Sequence, residues 1–327
     1  MDRRSSGEFE LIERLKRFQN LSRRVIKGIG DDAAVLELDA KRYQLFTTDM
    51  CVESVHFTRK MPARKIGWKA MAVNVSDIAA MGGEPTCAVV SIGFPGSTPE
   101  RVLPPAAPFP PRGSLARSSE RGPASGVTRS GLPVGYVEKL YQGLFDCAKA
   151  FGVSIVGGDT VRADRLVINV ALLGEVWKKD LVLRSGAKVG EGIFVTGSLG
   201  GSFRSGRHLT FRPRLKEAQW LVKNARPSSM MDLSDGLAGD LGHILKASRV
   251  GALLEEQAIP LHRGVSLDRA LSEGEDFELL FTAPLPRAER LKDRAIRIGT
   301  VTEQRGFWMR GADGKKRKIT MKGFAHF

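Results

Sequence analysis

Segments of strand length alternate with segments of helix length through the first half of this chain. The apolar, strand-like runs cover residues 42–50, 86–95, 153–160 and 165–176, the first ending in polar residues and the third in a Gly-rich turn. Between them, residues 63–82 and 137–152 carry apolar side chains at helical spacing. This alternation predicts an α/β organisation.

The second half contains the same kinds of segment after a break near residues 177–190. A strand and a turn occupy 186–202, a strand end, a tight turn and a helix occupy 228–252, and a last α/β part reaches residue 327. A chain of 327 residues is long enough for two domains of ordinary size. We therefore predict an N-terminal domain at 1–176 and a C-terminal α/β domain at 177–327.

Residues 104–133 interrupt this pattern. The segment is rich in Pro, Arg, Ser and Gly and shows no apolar period. Such a composition buries too little apolar surface to offset the entropy lost when a chain becomes ordered. We expect an inserted, disordered surface excursion without a catalytic role, and an active-site lid is the alternative.

Charge and composition narrow the classes of function. The net charge of +15 and the pI of about 10.0 would suit nucleic acid or polyphosphate as a partner. The basic residues are scattered, however, and the densest run, at 314–318, has no interleaved aromatic residues and is typical of a solvated hairpin. We therefore predict no nucleic-acid partner.

The sequence indicates neither a membrane-spanning segment nor a disulfide framework. No apolar run reaches the roughly 18 residues of a membrane helix, and the charged N-terminus lacks the apolar core of a secretory signal. Cys51, Cys87 and Cys147 are far apart and form no CxxC pair, so neither a disulfide framework nor a zinc site is expected. These features predict a cytoplasmic protein without a membrane partner.

Carboxylates recur in segments that also contain Gly, Ser or Thr. They are Asp31 and Asp32, Asp49 after Thr47 and Thr48, Asp77, Asp159, Asp232 and Asp235 around Ser234, and Glu275, Asp276 and Glu278. Singly, each such motif is an ordinary turn, and Ser234 and Asp235 could simply begin a helix. Six of them, most at expected strand ends or helix starts, indicate a site built at the edge of a sheet.

These ligand types favour magnesium. Asp and Thr oxygens without His or Cys are hard ligands that suit Mg²⁺ and its bridges to phosphate groups. No P-loop sequence is present, so a nucleotide enzyme of this kind would hold phosphate through aspartate-bound metal ions.

Asp77 lies in a helix whose other residues are mostly apolar or small. A buried, unpaired carboxylate is costly. From this helix alone, exposure to solvent or capping of a neighbouring loop is the favoured explanation.

The ordered motifs together resemble one family. GIGDDAA (28–34), TTDM (47–50), NVSDIAAMG (74–82), GGDT (157–160), RSGAKVG (184–190), DLSDGL (232–237) and GEDFE (274–278) occur in the order seen in thiamine-monophosphate kinases. That family belongs to the aminoimidazole-ribonucleotide synthetase superfamily. The resemblance spans the chain from residues 7–15 to 323–327, apart from 104–133.

The resemblance implies a fold and a set of site residues. The fold is an N-terminal sheet domain of the aminoimidazole-ribonucleotide synthetase type, which binds ATP and Mg²⁺ and joins two subunits into a homodimer, followed by the C-terminal α/β domain. Several Mg²⁺ ions are implied, bound by Asp32, Thr47, Thr48, Asp49, Asp77, Asp159, Asp232 and Asp235. ATP contacts are implied for Tyr141, Gly158, Asp159, Arg184 and Ser234, and substrate contacts for His56, Glu275 and the position of Met321. The catalytic set is Asp77, Asp159, Arg184 and Asp235.

Two departures from the family pattern are visible. Met321, with Phe324 nearby, stands where the family can have a Trp that stacks on the substrate. The segment after residue 202 is short, so a helix common in the family is trimmed. On residue patterns alone, His56 and Tyr141 would be packed side chains and Arg184 a surface charge.

The reaction implied by the resemblance is transfer of the ATP γ-phosphoryl group to thiamine monophosphate, which gives thiamine diphosphate. The alternatives are another ATP-dependent enzyme of the superfamily and a basic, non-catalytic nucleic-acid-binding protein. The acidic motifs argue against the second alternative, because carboxylates repel phosphate unless a metal ion lies between them.

Overall fold

The computed structural model describes residues 8–96, 132–133 and 135–320, which form two β-sheets with helices packed against them. The first sheet has the strand order β1-β2-β3-β6-β4-β5. Its strands are β1 (Val25–Lys27), β2 (Ala34–Glu37), β3 (Arg42–Val52), β4 (Glu84–Pro95), β5 (Ser154–Ala163) and β6 (Val167–Trp177). Its helices are α1 (Glu8–Leu15), α2 (Ala63–Ala80) and α3 (Tyr136–Phe151).

The second sheet has the order β13-β12-β9-β11-β7-β10-β8. Its strands are β7 (Gly192–Val195), β8 (Ser229–Asp232), β9 (Gly251–Glu255), β10 (Leu279–Ala283), β11 (Ile296–Thr302), β12 (Gly306–Arg310) and β13 (Lys316–Lys318). Its helices are α4 (Ser202–Ser205), α5 (Leu215–Asn224), α6 (Leu237–Ser248) and α7 (Leu267–Ser272). Most strand pairs in both sheets are antiparallel, and only the pairs β4–β5 and β9–β12 are parallel among the described residues.

Helix α2 is buried along nearly its whole length, against the first sheet on one side and α3 on another. Gly67 on α2 and Gly143 on α3 permit a close approach of the two helices. A Cβ atom at Gly67 would lie 1.9 Å from the carbonyl oxygen of Leu140, and one at Gly143 would lie 1.8 Å from that of Arg64. This packing holds α2 against β3. The C-terminal half of α2 then reaches the segments of the chain that contain the acidic motifs.

The opposite face of the first sheet carries apolar side chains that the described chain leaves exposed. Phe46 and Met50 on β3 point away from the core, whereas Leu45 and Cys51 on the same strand are buried beneath α2. Exposed valines on β4 and β5 lie in the same sheet. Strand alternation therefore gives this sheet one covered face and one apolar face that the described residues leave uncovered.

The predicted α/β class is confirmed, with differences at three of the predicted elements. Strand β3 does not end at Met50 but pairs with β6 as far as Val52, so its polar residues lie within a strand. Strand β5 likewise continues through GGDT to Ala163, because it pairs with β4 along this length. Helix α6 begins after Gly236 without a side-chain cap, so Ser234 is not its N-cap.

Most of the predicted excursion, residues 104–131, lies outside the described residues. Of its last two residues, Leu132 is fully buried and Pro133 is exposed, and the bounds of the excursion stay a prediction. The predicted domain division stays a prediction. Strands of the first sheet end at Trp177 and those of the second begin at Gly192. None of the helices in the described part of the chain combines the length and apolar character needed to cross a membrane.

Candidate functional site

A cavity of about 300 Å³ lies between the two halves of the chain. The first half lines it with Asp32, Thr47, Thr48, Asp49, Met50, Cys51, Val55, His56, Lys69, Val73 and Asp77. The second half, from residue 178 onward, lines it with Arg184, Phe203, Asp232, Ser234, Asp235, Gly274, Glu275 and Phe277. The cavity thus combines a carboxylate-rich part with apolar and aromatic side chains.

Three carboxylates from distant parts of the chain meet in this cavity. Asp32 precedes β2, Asp77 lies on α2 and Asp232 ends β8, and one carboxylate oxygen from each lies within 4.8 Å of the others. The Thr47 hydroxyl donates to Asp77 at 2.5 Å, and the Ser76 hydroxyl donates to Asp232 at 2.5 Å. Asp77 therefore faces a shared site rather than solvent.

Burial makes these carboxylates difficult to ionise together. It raises the pKa of Asp77 well above its usual value, and the carboxylates of Asp49 and Asp232 add to this rise. Burial and the charge of Asp32 raise the pKa of Asp232 to about 8. Burial also raises the pKa of Asp49. A bound cation would offset the mutual repulsion of the ionised groups.

The donor set fits Mg²⁺. All three clustered side chains offer carboxylate oxygens, the ligand type that Mg²⁺ prefers. One carboxylate oxygen of Asp32 is buried and accepts no hydrogen bond within the chain. Because buried acceptors are normally satisfied, this oxygen is suited to a metal ion.

Adding Mg²⁺ to the metal-free protein should raise its melting temperature, and more at about pH 8.5 than at about pH 6.5. A carboxyl group whose pKa is raised on folding lowers the stability of the folded state as the pH rises from its unfolded-state pKa to its folded-state pKa. At the lower pH, Asp232 holds a proton that the ion must displace, so binding is weaker. Ligand at about 100 times its dissociation constant stabilises by about 2.7 kcal/mol. Equal shifts at both pH values, measured by thermal denaturation, would contradict this assignment.

Arg184 links the segment between the two sheets to the carboxylate cluster. Its guanidinium donates to Asp32 at 2.6 Å, and its main-chain N–H donates to the Asp31 carboxylate at 3.0 Å. The Asp32 side chain is fully buried, while that of Arg184 is 20% exposed. A cationic group at the cavity wall can also bind a phosphate.

A buried ion pair forms another wall of the cavity. The Lys69 ammonium donates to the Glu275 carboxylate and, at 3.1 Å, to the carbonyl oxygen of His56. Burial raises the pKa of Glu275, and the charge of Lys69 opposes this rise. The Nδ1 atom of His56 accepts a hydrogen bond from the main-chain N–H of Val52 at 3.0 Å. His56 and Glu275 are therefore held in fixed positions.

Lys69 and Phe203 line the cavity but were not singled out from the sequence. Residues 69, 73 and 77 of α2 all line it, at intervals of four residues. The spacing of Lys69 and Asp77, eight residues apart on the same apolar helix, therefore could have predicted that both face the same site. Phe203 carries no comparable signal, because it lies in the four-residue helix α4, which is too short to show an apolar period.

Four of the implied site residues are not placed in this cavity. Tyr141 packs against the N-terminal core from α3, and Gly158 and Asp159 are exposed on β5, the edge strand of the first sheet. A carboxylate oxygen of Asp159 accepts the N–H of Thr160. Met321 lies outside the described residues. The remaining implied residues all line the cavity.

Comparisons with known proteins agree with this architecture. The family model of the AIR synthase related protein, N-terminal domain, matches residues 30–108 and 122–176. The two-sheet fold and the carboxylate site thus define a protein of the AIR-synthase-related class.

More specific similarity covers nearly the whole chain. Thiamine-monophosphate kinase of Rhodopirellula baltica is 32% identical over 92% of both chains, and that of Aquifex aeolicus is 32% identical over 98% of both. The solved structure of AaThiL complexed with AMPPCP and TMP has a TM-score of 0.78 and 31% identity, covering 100% of this chain and 99% of that one. The chain belongs to the thiamine-monophosphate kinase family.

Proposed function

We propose that this chain transfers the γ-phosphoryl group of ATP to the phosphate of thiamine monophosphate, which gives thiamine diphosphate. The observation that carries the proposal is the meeting of Asp32, Asp77 and Asp232 at one cavity in a member of this family. The related structure that contains AMPPCP, an ATP analogue, together with TMP supports the same pair of substrates.

The proposed metal ligands are the clustered carboxylates together with Thr47, Thr48, Asp49, Asp159 and Asp235. Bound Mg²⁺ would neutralise charge on the reacting phosphates. Arg184, whose guanidinium pairs with Asp32, would add a second positive charge. With Asp77, Asp159 and Asp235, it forms the proposed catalytic set, whose work is positioning and electrostatic stabilisation.

No general base is needed for this reaction. The nucleophile is a phosphate oxygen, and the second pKa of a phosphate monoester is about 6, so the group is largely ionised at neutral pH. In agreement, His56 is the one histidine along the cavity wall among the described residues, and its Nδ1 is engaged by the main chain. We propose that His56, Glu275 and the position of Met321 contact the thiamine phosphate.

The nucleotide contacts are proposed for Tyr141, Gly158, Asp159, Arg184 and Ser234. Arg184 and Ser234 line the cavity, whereas the GGDT edge is separated from it within one chain. Asp159 aligns with Met50 across the first sheet and is three strands away from it. At about 4.8 Å between strands, this is a separation of about 14 Å.

A homodimer joined through the N-terminal sheets would bring the GGDT segment of one subunit close to the cavity of the other. Phe46 and Met50 lie on the uncovered face described above, and Thr48 and Asp159 point to the same side. Packing of two such faces would bury the exposed apolar side chains and bring Asp159 of a second copy toward the cavity. The three free cysteines support a reducing compartment, for which we propose the cytoplasm.

Substituting Val89 with Asp should convert the proposed dimer into a monomer and lower turnover with it. Val89 is exposed on the outer face of β4, and a charge there would have to be desolvated in the interface. The matched control is Val189→Asp, at an exposed valine outside both sheets, which should remain dimeric. Sedimentation velocity with parallel assays would check both variants. A monomeric wild-type protein at micromolar concentration would refute the dimer.

The reaction itself is tested by incubating the purified chain with ATP, Mg²⁺ and thiamine monophosphate. Formation of thiamine diphosphate, dependent on all three components, is the expected result. ATP consumption that is unaffected by thiamine monophosphate would favour another enzyme of the superfamily. Nucleic-acid binding without any ATP consumption would favour the non-catalytic alternative.

A further inference from the structure

Phe203 presents an aromatic ring to the cavity from the short helix α4, which follows β7. The residue is 42% exposed although it is a large apolar side chain, and it belongs to the cavity lining. We propose that the Phe203 ring packs against the flat heteroaromatic part of the acceptor substrate and thereby contributes to substrate specificity. This inference rests on the proposed function, since it concerns how that acceptor is recognised.

The Phe203 ring packs against a buried aromatic neighbour. It stacks on His208, with ring centroids 4.4 Å apart and an interplanar angle of 29°. His208 is fully buried, and its Nδ1 lies 3.0 Å from the carbonyl oxygen of Ser202. Burial lowers the pKa of His208, so the ring that supports Phe203 stays neutral at physiological pH. An aromatic ring that is held in place loses little entropy when a ligand packs on it.

Hydrogen bonds to Asp276 hold α4 and the residues next to it. Its carboxylate accepts from the Gly200 N–H at 2.7 Å, the Ser202 hydroxyl at 2.6 Å and the Arg207 guanidinium at 2.9 Å. Asp276 and Ser202 are both buried. The position of Phe203 is thus set by a buried polar network rather than by exposed contacts.

The location of Phe203 relative to the metal site matches the length of the acceptor. The Lys69 ammonium lies over the Phe203 ring, 5.4 Å from the ring centroid, and Asp77 is eight residues further along α2. Eight residues of α-helix span about 12 Å. An acceptor whose phosphate lies at the carboxylate cluster would therefore extend its rings toward Phe203.

The chemistry around Phe203 suits a cationic heteroaromatic ring. Val55, Val73 and Phe277 supply apolar lining, and Phe277 stacks in turn on Phe211 with centroids 4.0 Å apart. The Lys69 charge is compensated by Glu275, so this end of the cavity carries no net positive charge to repel a thiazolium ring. Aromatic side chains attract such rings by stacking and by cation–π interaction.

Phe203→Ala should raise the KM for thiamine monophosphate about tenfold, with kcat and the KM for ATP within about twofold of wild type. Calorimetric titration without ATP should show the same loss of affinity for thiamine monophosphate. Phe203→Tyr should retain wild-type values, because it keeps the ring, whereas Phe203→Leu should resemble Phe203→Ala. The control is Phe18→Ala, which removes a 70% exposed phenyl ring outside the cavity and should change nothing.

The variants separate the possible outcomes. An unchanged KM in Phe203→Ala, or wild-type behaviour of Phe203→Leu, would overturn the aromatic contact. If Phe203→Ala does not fold, the comparison of the Tyr and Leu variants decides by itself. A wild-type protein that does not turn over thiamine monophosphate would refute the proposed function, and the titration series would then decide the ring contact separately.

Discussion

Replacing Asp77 with Asn should lower phosphoryl transfer about 10³-fold while leaving the protein folded. The substitution keeps the side-chain volume but removes a charge from the group that Asp77 forms with Asp32 and Asp232. Burial and neighbouring carboxylates already raise the pKa of Asp77 well above its usual value. The metal-free variant should therefore be at least as stable as wild type in urea, although its active site holds metal less well.

Steady-state kinetics at increasing Mg²⁺ concentration would measure this effect. Asp293→Asn is the matched control, because Asp293 is exposed and lies outside the cavity. Its turnover should equal that of wild type. Wild-type turnover and an unchanged Mg²⁺ dependence in Asp77→Asn would exclude Asp77 as a metal ligand.

Replacing Lys69 with Met should lower the free energy of unfolding by about 3 kcal/mol. The Lys69 side chain is 1% exposed and that of its partner Glu275 is 12% exposed. Removing the ammonium leaves a buried carboxylate without its counter-charge, while Met retains much of the apolar packing. Burial already raises the pKa of Glu275, and the loss of Lys69 raises it further. The destabilisation should therefore be larger at about pH 8 than at about pH 5, where Glu275 can take up a proton.

Urea denaturation of single and double variants would test the ion pair. Adding Glu275→Gln to Lys69→Met should recover most of the lost stability, because no buried charge then remains. Lys246→Met is the control, since Lys246 pairs with Glu13 at the surface, where side chains are 68% and 46% exposed. Its cost should stay below about 1 kcal/mol. Equal losses in Lys69→Met and Lys246→Met would show that the buried pair contributes no more than an exposed one.

Local patterns in the sequence were sufficient to predict the α/β class and most of its elements. The apolar periods of α2 and α3 and the strand-like runs depend on neighbouring residues, so they can be read without knowing the fold. The ordered acidic motifs indicated that the bound ion would be Mg²⁺, because the metal preference of a side chain depends on its chemistry and not on the topology of the fold. They also identified Asp32, Asp77 and Asp232, which the structure brings together.

Element ends were harder to predict, because they depend on pairing with distant strands. Polar residues in β3 and glycines in β5 are typical of turns when read locally. Both segments nevertheless remain extended, since β6 pairs with β3 over its full length and β4 pairs with β5 through GGDT. Hydrogen bonds to neighbouring strands thus outweigh the local turn preference.

The sequence by itself indicated which residue types could bind metal and where most of the helices and strands would form. Only the tertiary structure decided which of those residues share a cavity. Ser76 meets Asp232 across 156 residues of sequence, and Lys69 meets Glu275 across 206. It also decided that Phe203 faces the cavity, because His208 and Asp276 hold α4 there. The physical reason is that periodicity arises from contacts between near neighbours, whereas a buried charge or an exposed ring acquires its partner only when sheets and helices pack.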